Sequence, residues 1–125
     1  MYKAGRKHGQ GDFRWADGSH FTGDFEDNDI HGEGTYIWND QRKFKGGWKH
    51  NKMEGKGVFT WADGRKYVGE YVKDKKEGHG IFYWPDGRTY DGSWVDGKQH
   101  GEGFYTQANN VKRKGIWENG KRKQW

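Results

Sequence analysis

The feature that most constrains this chain is that it repeats itself every 23 residues. The segment 67–89, YVGEYVKDKKEGHGIFYWPDGRT, has counterparts at 44–66 (FKGGWKHNKMEGKGVFTWADGRK), 21–43 (FTGDFEDNDIHGEGTYIWNDQRK) and 90–112 (YDGSWVDGKQHGEGFYTQANNVK). A fixed period in this range marks stacked supersecondary units that bury their apolar faces only against neighbours. Residues 1–20 match the later columns of a further unit, from Tyr2 and Gly5 through Gly9, Gly11, Phe13 and Trp15 to Asp17-Gly18. Residues 113–125 match the opening columns of another, with Gly115 and Trp117 in place and Arg113 where an aromatic would stand. The chain therefore reads as one array over 1–125 that begins and ends inside a unit, by excision or as atypical caps.

Within each unit the recurring residues lie two apart. An aromatic opens it (Phe21, Phe44, Tyr67, Tyr90), followed by glycine (Gly23, Gly46, Gly69, Gly92) and a second aromatic (Phe25, Trp48, Tyr71, Trp94). Further on come a glycine pair (Gly32/Gly34, Gly55/Gly57, Gly78/Gly80, Gly101/Gly103) and aromatics at Tyr36/Trp38, Phe59/Trp61, Phe82/Trp84 and Tyr105. A period of two is that of a strand. Each unit reads as a hairpin whose first strand runs from the opening aromatic for about six positions and whose second runs from the glycine pair to the tryptophan. The turn between them holds Asn28, Asn51, Asp74, Gly97 or Gly120, and ADG, NDQ, PDG and ANN turns join successive units. Glycine weakens a strand interior, so these columns need a reason. A ring lying flat over side-chain-free backbone supplies one. The expected fold is all-β, an elongated, single-layer, twisted antiparallel sheet of consecutive hairpins with about ten strands.

The pattern YxGxWxxGxxxGxG, completed by an aromatic pair and DG, resembles the MORN (membrane occupation and recognition nexus) repeat over essentially the whole chain. The resemblance implies a non-catalytic scaffold or tether. It also implies settings such as radial spokes of the ciliary axoneme, other cytoskeletal assemblies and membrane junctions, or the regulatory array of a larger enzyme such as a phosphatidylinositol phosphate kinase. The dense, insert-free units resemble those of ciliary and protist proteins.

Composition agrees with a ring-based core: 8 Trp, 7 Tyr and 7 Phe stand among only 30% hydrophobic residues. With no cysteine there is no disulfide framework or thiolate metal site. No apolar run approaches a membrane span of about 18 residues, and no signal-peptide core follows Met1, which points to an intracellular address. The net charge of +5 is patchy, acidic over 21–43 and basic over 44–66 and the C-terminus. That suits protein contacts better than a continuous phosphate track.

A curled single sheet leaves its aromatic face partly open, and such a strip fits a partner helix or strand lying along Trp15, Phe25, Trp38, Trp48, Trp61, Tyr71, Trp84 and Trp94. The alternative is that these rings satisfy one another as a core. Arg6, Lys52, Lys75, Lys98 and Lys121 form a basic turn column broken by Asp29, suited to anionic lipid or an acidic protein tail. Ordinary solvation of exposed turns is the alternative there. Rings and basic edge lie on different parts of the sheet, which disfavours nucleic acid. His8, His31 and His100 share one column, about 10 Å or more apart, too far to share a metal, and read as turn residues. No helix follows the GxG pairs to make a phosphate site, and no catalytic constellation or cofactor motif is present. The expected activity is binding a partner protein, with self-association end to end or face to face as a further expectation.

Overall fold

Five two-residue loops reverse the chain within its units: Asp27-Asn28, His50-Asn51, Lys73-Asp74, Asp96-Gly97 and Asn119-Gly120. Every one of these residues has positive φ, from 47° at His50 to 87° at Gly120. This is the mirror-image turn whose twist matches that of the strands it joins. The computed structural model describes the backbone of residues 2, 3 and 6–125 and the side chains from His8 onward. The turn expected at Gly5 lies outside the described residues.

Strands follow one another as β1 (Tyr2–Lys3), β2 (Arg6–Lys7), β3 (Gly9–Arg14), β4 (His20–Glu26), β5 (Asp29–Ile37), β6 (Lys43–Lys49), β7 (Lys52–Thr60), β8 (Lys66–Val72), β9 (Lys75–Tyr83), β10 (Thr89–Val95), β11 (Lys98–Thr106), β12 (Lys112–Glu118) and β13 (Lys121–Gln124). The described residues contain no helix. β3 to β13 form one 11-stranded sheet in sequence order, and β1 and β2 make a separate two-stranded ladder. Among the described residues the expected ten or so strands thus become eleven in the sheet and two beside it. The second strand of the first unit is interrupted at His8, and among the described residues its β2 portion pairs with the two residues of β1.

Second strands also begin earlier than expected, at Asp29, Lys52, Lys75 and Lys98, because the turn before them takes only two residues. In the four full units the second strand has nine residues against seven in the first, and the surplus forms a bulge. Gly23 pairs with Gly34 and Phe25 with Ile30, so Asp24 alone opposes residues 31–33. The same shift recurs between Gly46 and Trp48, Gly69 and Tyr71, and Gly92 and Trp94. This divides the glycine pair into two roles. The first member (Gly32, Gly55, Gly78, Gly101) turns the bulge with positive φ, a correction to the expectation that the pair serves the rings throughout.

The second member belongs to a row running from β3 to β12: Gly11, Gly23, Gly34, Gly46, Gly57, Gly69, Gly80, Gly92, Gly103 and Gly115 are paired in succession. Over it lie the opening rings. A Cβ at Gly46 would sit 2.9 Å from Phe44 Cζ, and one at Gly103 would sit 2.5 Å from Tyr90 Cε1. Phe21, Phe44, Tyr67 and Tyr90 are 0% exposed as a result. Removing rings of this size from water is worth roughly 2–3 kcal/mol each. A sheet of one layer therefore carries its core on a single face, called the ring face below.

Candidate docking surface

The eight rings expected to line a groove divide into two sets. Phe25, Trp48, Tyr71 and Trp94 are buried core residues. Trp48, Tyr71 and Trp94 stand edge-on between the opening rings of their own unit and the one before, Trp48 meeting Phe21 at 5.7 Å and Phe44 at 5.4 Å and Trp94 meeting Tyr67 and Tyr90 at 5.3 Å, while Phe25 meets Phe21 of its own unit at 5.2 Å. The Trp48 and Trp94 indoles donate to the Gly34 and Gly80 carbonyls at 3.2 and 3.1 Å. These four are 3–6% exposed, leaving little area open on the ring face.

Trp15, Trp38, Trp61 and Trp84 are half-buried and packed against the core rather than within it. They lie just past the second strands, in the corners between units. Trp15, Trp38 and Trp61 rest on the next unit's ring, at 5.3 Å from Tyr36, 5.4 Å from Phe59 and 5.4 Å from Phe82. In each corner the tryptophan N–H donates to the carbonyl four residues on, at 2.9 Å. Asp17, Asp40, Asp63 and Asp86 accept the N–H two residues ahead.

Three corners add an arginine absent from the sequence expectations. Arg42, Arg65 and Arg88 bind their corner aspartate through Nε at 2.7, 2.8 and 2.7 Å. Their guanidinium groups lie over Trp38, Trp61 and Trp84 at 5.3, 5.1 and 5.3 Å. The Asp-x-Arg spacing after each tryptophan was the available signal. The N–H of Arg42 and of Arg65, ahead of their side chains, holds the carboxyls of Asp40 and Asp63 below the usual range. Arg88 also donates to the Tyr105 hydroxyl at 3.4 Å, which with Asp86 holds its proton more firmly still. Asp40, Arg42, Trp61, Ala62, Asp63 and Arg65 line a cleft of about 420 Å³ between two corners. The result is a rim of alternating indole and guanidinium groups, able to stack on flat or apolar side chains and to donate to acceptors beside them.

The opposite rim carries the lysine column. Lys52, Lys75, Lys98 and Lys121 begin β7, β9, β11 and β13 and are exposed; the side chain of Arg6 lies outside the described residues. Asp29 breaks the row because it is engaged by Asn51 Nδ2 at 2.8 Å and His50 Nδ1 at 3.3 Å, in that order the causes of its lowered pKa. Next to Lys75 the chain turns Lys76 inward. Its ammonium lies 5.5 Å from the Trp61 and Tyr67 rings and 5.6 Å from Trp94. Burial, then Arg65, pushes its pKa down.

His31 and His100 are not in the turns but in the bulges, where each caps the next turn, and His8 lies in the break between β2 and β3. His31 Nδ1 accepts from the His50 N–H at 3.3 Å and His100 Nδ1 from that of Asn119 at 3.4 Å, while Glu54 and Glu77 do the same for Lys73 and Asp96. Among the described residues no three His, Cys, Asp or Glu side chains gather as metal ligands would. The face opposite the rings is mixed and polar, with a trough of about 480 Å³ where Val58, Val68 and Ile81 adjoin Lys56, Glu70 and His79. Compared with known families, the chain matches the MORN repeat over residues 1–20, 21–41, 44–64, 67–87 and 90–112. No curated protein matches it.

Proposed function

This chain belongs to the MORN repeat family, whose repeats are generally non-catalytic modules for protein or membrane interaction, and we propose that it is a scaffold that docks a segment of a partner protein along its ring face. The observation that supports this is the row of half-exposed Trp15, Trp38, Trp61 and Trp84, three of them carrying an arginine. Aromatic and arginine side chains dominate binding hot spots because they combine large apolar area with fixed donors. The core no longer needs the outer surfaces of these indoles, since the opening rings are already closed. With a co-purified partner, Trp61→Ala and Trp84→Ala each weaken binding about tenfold or more, while Lys75→Glu with Lys98→Glu leaves it intact. Unchanged binding in both tryptophan variants would reject this reading.

The exposed lysine rim supports a second reading, attachment to an anionic membrane at about 1 kcal/mol per basic residue. Salt-sensitive binding to phosphatidylserine vesicles that disappears on charge reversal at Lys75 and Lys98 is its signature. The setting we propose is a cytoskeletal assembly such as the ciliary axoneme, tested by localising the tagged chain in a ciliated cell.

A further inference from the structure

Across the register from the second-column rings runs a column formed by Ile30, Met53, Lys76, Gln99 and Arg122. In the first two of these units it closes the ring face with buried apolar side chains, Ile30 and Met53. In the third it places an ammonium among Trp61, Tyr67 and Trp94. Among the described residues no carboxylate pairs with Lys76, and its side chain donates no hydrogen bond. Nothing in the fold demands a cation there, because Met53 fills the equivalent place opposite Trp48.

A second cation shares one of those rings. The Arg65 guanidinium lies 5.1 Å from Trp61 and is tied to Asp63 through Nε alone. Its counterpart Arg88 satisfies Nη1 on the Tyr105 hydroxyl, but the residue equivalent to Tyr105 for Arg65 is Phe82, which has none. Two cations therefore lie against Trp61, Arg65 with its Nη donors unused by Asp63 and Lys76 with no carboxylate partner. Half-burial of a charge without a counter-ion is unfavourable, and an acceptor arriving from outside relieves it.

We propose that Lys76 and Arg65, both against the Trp61 ring, form a site for a side-chain carboxylate of the docked partner, which is thus an acidic peptide segment carrying an aspartate or glutamate beside apolar residues. This rests on the docking role assigned above and adds the chemistry of the occupant. Charge complementarity favours it around Trp61, where Arg65 already holds Asp63 and the groups left over, Lys76 and the outer edge of Arg65, are positive. Lys76 lies inward of the exposed Lys75 rim, within reach of a side chain rather than of a headgroup layer.

The test uses the full chain and a capped ten-residue peptide of alternating glutamate and leucine, with its glutamine analogue as control. The Lys76 ε-methylene resonance, displaced by the three rings, reports the site directly. The expected result is that the glutamate peptide shifts this resonance and binds about tenfold or more tighter than the glutamine peptide. Lys76→Met, which copies the side chain that Met53 places in the preceding unit, abolishes that preference without loss of thermal stability. A Lys76 resonance unmoved at millimolar peptide, or equal affinity for the two peptides, overturns the proposal. Equal affinity that still depends on Trp61 would leave the docking role standing. Phosphatidylserine vesicles that shift the resonance and are lost with Lys76→Met would overturn it in favour of a membrane ligand.

Discussion

The ring of Tyr67 lies across the backbone of Gly80 on the neighbouring strand, so closely that a Cβ on Gly80 would sit 2.5 Å from Tyr67 Cε1. This contact, repeated by each opening aromatic, is what lets a single layer bury a core. Gly80→Ala should cost about 2–3 kcal/mol or more, since the ring has no free space to retreat into. Gly97→Asn is the control: Gly97 has positive φ but nothing within 4 Å of its Cβ position, and Asn28 and Asn51 hold the equivalent place. That change should cost well under about 1 kcal/mol. Urea denaturation of the two variants compares them, and equal losses would refute the packing account.

The Tyr67 hydroxyl donates to the Glu70 carbonyl at 3.2 Å and that of Tyr90 to Ser93 at 3.0 Å, each in its own bulge. Phe21 and Phe44 occupy the same column without such a bond. Tyr67→Phe should therefore fold normally and lose only about 0.5–1.5 kcal/mol, read from the denaturation midpoint.

Gln41 holds a φ of 75° at the corner position where Gly18, Gly64 and Gly87 stand in other units. Left-handed backbone strains a residue bearing Cβ. Gln41→Gly should stabilise the chain by about 0.5–1 kcal/mol despite glycine's larger unfolded entropy, seen as a rise in Tm.

Burial raises the pKa of Tyr67, Tyr71 and Tyr90, the last to about 12. The unfolded chain ionises its phenols near 10, so the stability they contribute is whole below that pH and is lost as pH rises through the folded values. For Tyr90 alone the loss approaches about 2–3 kcal/mol. Lys76 acts in the opposite sense, its depressed value adding stability as pH rises toward 10.5, but one lysine does not offset three phenols. Alkaline titration by circular dichroism should show unfolding that begins above pH 10, with tyrosinate absorbance rising in step.

Period, strand alternation and turn residues determined the hairpin array from sequence alone, because they express local backbone preferences that each unit satisfies by itself. Asn28, Asn51 and Gly97 marked their turns, and the opening aromatics marked their glycines, without knowledge of any neighbour. Which rings remain open was decided by the tertiary structure. Phe25, Trp48, Tyr71 and Trp94 look equivalent to Trp15, Trp38, Trp61 and Trp84 in sequence, yet the first set is buried edge-on against the opening rings and the second stands at the corners. The surplus residues of each second strand were likewise invisible until the register showed Gly23 paired with Gly34 and Phe25 with Ile30. Lys76, one lysine among 23 basic residues, became distinctive only when three rings from three strands or corners closed around it. Burial is a property of neighbours brought together by pairing, and no residue's own position in the repeat contains it.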